Sequence, residues 1–338
     1  DNHTALAAPE AKAIDPSTDS VVYDVELEAF PSQYKQILTT EKTKVEVITP
    51  KPHNKEADKQ LLEATTLDQV KDALLKGADI NVRGKHGMSA IFVAAYNGKF
   101  DIVREMAERD ANVNVQDAQK WTPLMFAAMY DDEITTRVLL KKGAELETIN
   151  DEGDTALHVA ASRNANNALK ILGQKANLEA LGGDGQTALI KAAASGITRA
   201  IDTLVVSGAK LETENRHGET AFLHAAKSGN MQSIARLSAH GANKDVVDGR
   251  GKTALMLSLE DKAMTNTRTG KTSPNWLGIE ELLCHGPDLG VRDRTGRSVQ
   301  HLLEDEDPHH DTLKAKILIE DYIGAITKNT KMNNQLLY

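Results

Sequence analysis

Cysteine is almost missing from this chain: Cys284 is the single one among 338 residues, which excludes an internal disulfide framework and any cysteine-rich zinc site. Aromatic residues make up only 4% of the sequence, so its core has to be built from small and aliphatic side chains. That composition suits closely stacked short helices. Positive charge is in deficit too, with a formal net charge of −9 and a pI near 5.7. No global electrostatic attraction therefore draws the chain to nucleic acid or to an anionic membrane. No run approaches the ~20 apolar residues that span a bilayer. The expected partners include neither nucleic acid nor membrane.

What is present is periodicity. A Ser or Thr recurs at Ser89, Thr122, Thr155, Thr187, Thr220, Thr253 and Ser298, in steps of 33, 33, 32, 33, 33 and 45 residues. A second marker, Gly-Ala in most units, advances with it: Gly77-Ala78, Asp110-Ala111, Gly143-Ala144, Lys175-Ala176, Gly208-Ala209, Gly241-Ala242 and Gly286-Pro287. A period of this length marks a stacked array. Physical chemistry accounts for each recurring residue. The hydroxyl caps a helix by accepting a backbone N–H, and Pro123 occupies a first helical position, where its missing donor costs nothing. Ala pairs such as Ala127-Ala128 and Ala160-Ala161 permit close helix packing, and the Gly after the second helix suits a left-handed cap.

With Thr122-Pro123-Leu124-Met125-Phe126-Ala127 and Thr155-Ala156-Leu157-His158-Val159-Ala160 as the nearest matches to its signature, the chain closely resembles the ankyrin-repeat family. The resemblance covers some four-fifths of the sequence and implies an all-α solenoid of helix-turn-helix units joined by hairpin turns. The expected organisation is a non-repeating, partly disordered N-terminal extension over residues 1–53, a repeat domain over 54–326 and a tail over 327–338. The domain comprises a degenerate first unit and seven further units from about Arg83. Within the extension, β-formers cluster at Val21 to Leu27 and Lys44 to Thr49 around a possible helix at Ser32 to Thr40. This segment either covers the open end of the solenoid or wraps a partner.

Local breaks in a repeating pattern point to function. Where the other hairpins carry Gly (Gly87, Gly153, Gly185, Gly218, Gly251 and Gly296), the second unit has Lys120, and a non-Gly residue at positive φ costs about 1 kcal/mol. In the family fold, the residue between that Gly and the capping hydroxyl is exposed on the hairpin, as are the two residues after the Ala pair. In the first two units these are Met88, Tyr96, Asn97, Trp121, Met129 and Tyr130. Later units supply Asp154, Arg163, Gln186, Glu219, Lys227 and Lys252, among smaller residues. Together with Lys120 they are the candidate partner-binding residues. The aromatic ones form the expected hot spot, since interface anchors favour Trp, Tyr and Met. The bland alternative is that these rings pack on each other or under the N-terminal extension.

The long sixth step places an insertion at about 261–275. Its Gly270-Lys271-Thr272 resembles a phosphate loop, but Thr265 stands where that spacing demands Gly, and no strand leads in. The last unit gathers His301, Glu304, Asp305, Glu306, Asp307, His309, His310 and Asp311 without a ligand-spaced helical pair. A metal-dependent enzyme built on this cluster is the remote alternative to a chain with no catalytic residue, cofactor or metal. The expected function is to bind another protein through a concave face, as a monomer apart from that partner. Asp1 to Ala13 is Ala-rich and polar and fits a mature protein after signal-peptide removal, although a trimmed cytoplasmic chain fits too. If exported to the periplasm, the chain resembles bacterial ankyrin proteins that protect their producer from its own cell-wall hydrolases. An inhibitor or immunity role towards a secreted or periplasmic enzyme is then preferred, and a cytoplasmic scaffold or adaptor is the alternative.

Overall fold

The computed structural model describes residues 13–14, 21–22, 54–84, 87–260, 276–304, 316–326 and 328. From residue 54 onward the described elements are helices in pairs. Seven inner helices, Ala90–Tyr96, Pro123–Met129, Ala156–Ser162, Ala188–Ala194, Ala221–Ser228, Ala254–Glu260 and Val299–Glu304, each begin one residue after the recurring Ser or Thr. Outer helices follow at Phe100–Glu108, Glu133–Lys141, Asn166–Leu172, Thr198–Val206, Met231–Ala239 and Trp276–Cys284, and residues 316–326 are helical in the seventh unit. The degenerate pair before them is Lys55–Glu63 and Leu67–Leu75. In the extension, Ala13–Ile14 and Val21–Val22 pair as two-residue antiparallel strands. The expected helix at 32–40, the second β-rich stretch at 44–49, the insertion and most of the acidic cluster lie outside the described residues.

The caps form as the pattern requires. Ser89, Thr122, Thr187, Thr220 and Thr253 accept the N–H of the third residue on, at 3.2–3.4 Å. Two units use a histidine: the Thr155 hydroxyl lies 2.8 Å from His158 Nδ1 and the Ser298 hydroxyl 2.7 Å from His301 Nδ1. His158 Nε2 is 3.0 Å from the Ala180 carbonyl and 3.1 Å from that of Gln186. Since carbonyls only accept, Nε2 carries the proton and Nδ1 accepts from Thr155. The step of 32 shortens the outer helix Asn166–Leu172 to seven residues, where its neighbours have nine.

Two-turn helices are too short to be stable alone, so stability resides in stacking. Inner helices pack on inner helices of the next unit and outer on outer. The Ala pairs 127–128, 160–161, 192–193 and 225–226 are completely buried. A ladder of side chains also ties each hairpin base to the next: Asn81 Oδ1 accepts from Asn112 N (2.7 Å), Asn114 Oδ1 from Glu145 N (2.9 Å), and Glu147 Oε1 from Asn177 N (2.8 Å). Glu179 and Glu212 continue it to Lys210 N and Asn243 N, each at 2.8 Å. One acceptor per unit thus satisfies a backbone donor that has no place in a helix.

Candidate protein-binding surface

Each hairpin returns the chain to its inner helix, and in two units the residue before the cap meets the residue five positions on. In the second unit this pairs Trp121 with Phe126, at 4.9 Å between ring centroids. Phe126 is the centre of an aromatic cluster that crosses two units. Phe92 meets it edge-on at 5.5 Å and Tyr96 at 5.7 Å, while Tyr130 meets Phe100 edge-on at 5.6 Å. Phe92 and Phe126 are buried, whereas Tyr96 is 61% and Tyr130 52% exposed. The result is an exposed aromatic rim, Tyr96 on the buried Phe126 and Tyr130 on the half-buried Phe100. Edge-to-face pairs of this kind add about 0.5–1.5 kcal/mol beyond area burial.

Trp121 differs from the expectation of an exposed tip: it is half-buried, because Phe126 lies beneath it. Met88 and Met129 are likewise half-buried and pack on the core, and Asn97 and Arg163 are exposed. Lys120 does adopt the left-handed region, at φ 60°. Its Nζ lies 3.2 Å from Asp151 of the next hairpin, and both side chains are too exposed for that pair to contribute more than about 1 kcal/mol.

Further along, the expectation of exposed hairpin residues fails at three positions. Asp154, Glu219 and Lys252 are 5%, 1% and 6% exposed, and Gln186 and Lys227 are half-buried. At Asp154 and Glu219 the physical reason is charge pairing beneath the surface. Lys191, at the inner-helix position where the second unit has Phe126, reaches Asp154 at 2.9 Å and Asp184 at 3.3 Å. Burial works against the Lys191 charge, but the hydrogen bond it donates to Asp154 and the charges of both carboxylates outweigh it and raise its pKa. Glu219 lies 2.6 Å from Lys227 Nζ and 3.1 Å from His224 Nδ1, and accepts from Asn215 Nδ2 at 2.8 Å. Burial alone would raise its pKa; the bonds from His224, Lys227 and Asn215 more than offset this and hold it well below the ordinary carboxylate range. Burial also lowers the pKa of His158, with the Lys191 charge acting in the same direction and Asp154 opposing it.

Phe126, Phe92, Phe100, Lys191 and His224 were not among the candidate residues. The five-residue spacing could have signalled two of them: Trp121 and Phe126 are aromatic partners at that spacing, and Glu219 and His224 are polar partners at the same one. Among the described residues no three His, Cys, Asp or Glu side chains converge as a metal would need. His301 Nδ1 is taken up by the Ser298 cap, and residues 305–311 of that cluster lie outside the described residues.

Comparison with known proteins agrees with this geometry. A family profile described as ankyrin repeats (3 copies) matches residues 61–150, 135–215 and 191–266. Mouse protein phosphatase 1 regulatory subunit 12A is 33% identical over 106 residues, covering 31% of this chain and 10% of that protein. Dauer abnormal formation protein 25 of Caenorhabditis elegans is 38% identical over 80 residues, 23% of this chain and 21% of that one. The putative ankyrin repeat protein YahD of Escherichia coli K12 is 26% identical over 106 residues, 31% of this chain and 53% of YahD. The match therefore spans less than two thirds of the length of each relative. In three dimensions the ankyrin repeat domain of Bcl-3 superposes with a TM-score of 0.55 at 20% identity, over 68% of this chain and 99% of that domain, which shows a shared fold. With the family profile extending over more than half of its length, the chain belongs to the ankyrin-repeat family, whose repeats typically bind other proteins.

Proposed function

We propose that this chain is a non-enzymatic module that holds a partner protein on its concave side, anchored by the aromatic rim of its first two units. The observation that carries this is the exposure of Tyr96 and Tyr130, 61% and 52%, resting on the buried Phe126 and the half-buried Phe100 respectively, in a chain with few aromatic residues. A rigid ring on a pre-formed support loses little entropy on binding, which is why Tyr and Trp recur as anchors. The role carried forward is inhibition of a partner enzyme, such as a secreted or periplasmic cell-wall hydrolase. Its support is the continuous surface that stacking builds from successive units. The name of the mouse relative adds to it, since that protein is a regulatory subunit of a phosphatase. A cytoplasmic scaffold or adaptor would use the same face.

The test compares partner capture by the tagged chain and by a Tyr96→Ala/Tyr130→Ala variant from the native cell, followed by assay of the captured protein. Anchors lose about 2 kcal/mol or more each on truncation, so capture should weaken by well over tenfold (about 1.4 kcal/mol) while the fold persists. Undiminished capture would move the binding surface elsewhere. A captured enzyme that turns over unchanged at saturating chain would leave binding standing and remove the inhibitor role.

A further inference from the structure

The hairpin tips change sign along the array. Those of the third and fourth units present Asp151, Glu152 and Asp184 to solvent, whereas those of the fifth, sixth and seventh present Arg216, Arg250 and Arg294. Between the fifth and sixth hairpins lies an open cleft of about 550 Å³, lined by Arg216, His217, Gly218, Glu219, Lys227, Gly249 and Arg250. The carboxylates near it are already engaged. Glu219 holds Lys227 and His224. Asp248, whose side chain is 1% exposed, accepts the N–H groups of Arg250 and Lys252 and lies 3.3 Å from Arg250 Nε. Asp293, pulled down to about 2 chiefly by the Thr295 hydroxyl, is bound to its own hairpin. Arg216 and Arg294 make no ion pair among the described residues, although both are exposed. The Arg216 stem lies across Gly185 of the preceding hairpin, where an added Cβ would meet its Cγ at 2.4 Å, so the guanidinium is carried on a supported stem.

We infer that this cleft takes a short acidic peptide segment of a protein partner, with Arg216 and Arg250 gripping its carboxylates. The guanidinium fork matches a carboxylate bidentately, and a supported side chain loses less freedom on binding. A long polyanion fits worse. A nucleic acid running along the ridge would meet Asp184, Glu152 and Asp151 within two further units, in a chain whose net charge is −9. The inference rests on the protein-binding reading but uses a surface separate from the aromatic rim.

Fluorescence anisotropy of the full chain with a labelled Glu-rich octapeptide, and with its Gln counterpart, tests it. Saturable binding of the acidic peptide alone is expected, weakening at least about tenfold in Arg216→Glu, whose side chain breaks no existing ion pair, and again as salt rises from about 0.05 to about 0.5 M. Arg250→Gln should weaken it in the same direction, and the melting temperature of each variant verifies folding. No saturable binding, equal affinity in folded Arg216→Glu, or tighter binding of an oligodeoxynucleotide or phosphatidylserine vesicles would each overturn the assignment. The Tyr96→Ala/Tyr130→Ala variant should bind the peptide like the parent chain. Loss of partner capture in that variant together with failure of the peptide in the parent would refute the cleft alone, and the converse pattern would refute the rim alone.

Discussion

Two glycines of the fifth unit offer a measurement of how tightly the hairpins interlock. Gly218 and Gly241 have φ of 72° and 87°, so alanine at either position enters the left-handed region at about 1–2 kcal/mol. Reduced freedom of the unfolded chain returns about 0.4–1 kcal/mol of this in both. Their surroundings differ. A Cβ on Gly241 would meet nothing within 4 Å, whereas one on Gly218 would lie 2.6 Å from Gly249 N and 3.1 Å from its Cα. That nitrogen donates to His217 O at 2.8 Å, joining the two hairpins. Relieving the clash has to move backbone and lengthen or break this bond, a further loss of about 0.5–1.5 kcal/mol before any loosening of the stack. We expect Gly241→Ala to lose about 0.5–1 kcal/mol and Gly218→Ala about 1–2.5 kcal/mol. At about 2–4 °C per kcal/mol for an array of this size, thermal unfolding followed by far-UV ellipticity should separate the two variants by about 1–6 °C. Equal losses would refute the claim that close hairpin approach, beyond backbone handedness, demands glycine at 218.

Lys120→Gly should gain about 0.5–1 kcal/mol by removing left-handed strain, offset slightly by the exposed Asp151 pair, and a lower urea midpoint would contradict this. Phe126→Ala should lose about 3–5 kcal/mol, against about 0.5–1.5 kcal/mol for Tyr130→Ala, which gives up one edge-to-face pair; comparable losses would mean that exposed rim and buried ring are not distinct. Trp121→Ala should fall between them, because its ring is half-buried on Phe126. The lowered His158 pKa sets a pH dependence. Its contribution is fully present above the unfolded value of about 6.5 and is lost as pH falls below it, since the unfolded state then binds the extra proton. The midpoint should therefore drop more between pH 7.5 and 5.5 in the parent chain than in His158→Gln, and parallel curves would show that the imidazole is not held neutral.

How much of this was legible in the sequence depends on how far apart the deciding residues are. The cap at Thr122, the proline at 123 and the Ala pair at 127–128 answer to constraints within one helix turn, and every inner helix begins where the hydroxyl says it should. The left-handed Lys120 was legible for the same reason, since one missing glycine in a series of seven hairpins is a local fact. Burial of the residue before the cap is decided elsewhere. Asp154 is buried because Lys191, 37 residues on, reaches back across the unit boundary, and no period exposes that pairing when the equivalent of Lys191 is Phe126 in one unit and His224 in another. Trp121 and Asp154 occupy the same repeat position and fold inward for opposite reasons, one onto an aromatic ring and one onto an ammonium group. A family rule that calls this position exposed describes the hairpin backbone correctly and the side chain only when its neighbour gives it nothing to bind. The rim survives that rule's failure because Tyr96 and Tyr130 stand at the open end of the inner helix, where the next turn carries the chain away and leaves each ring one aromatic neighbour among the described residues.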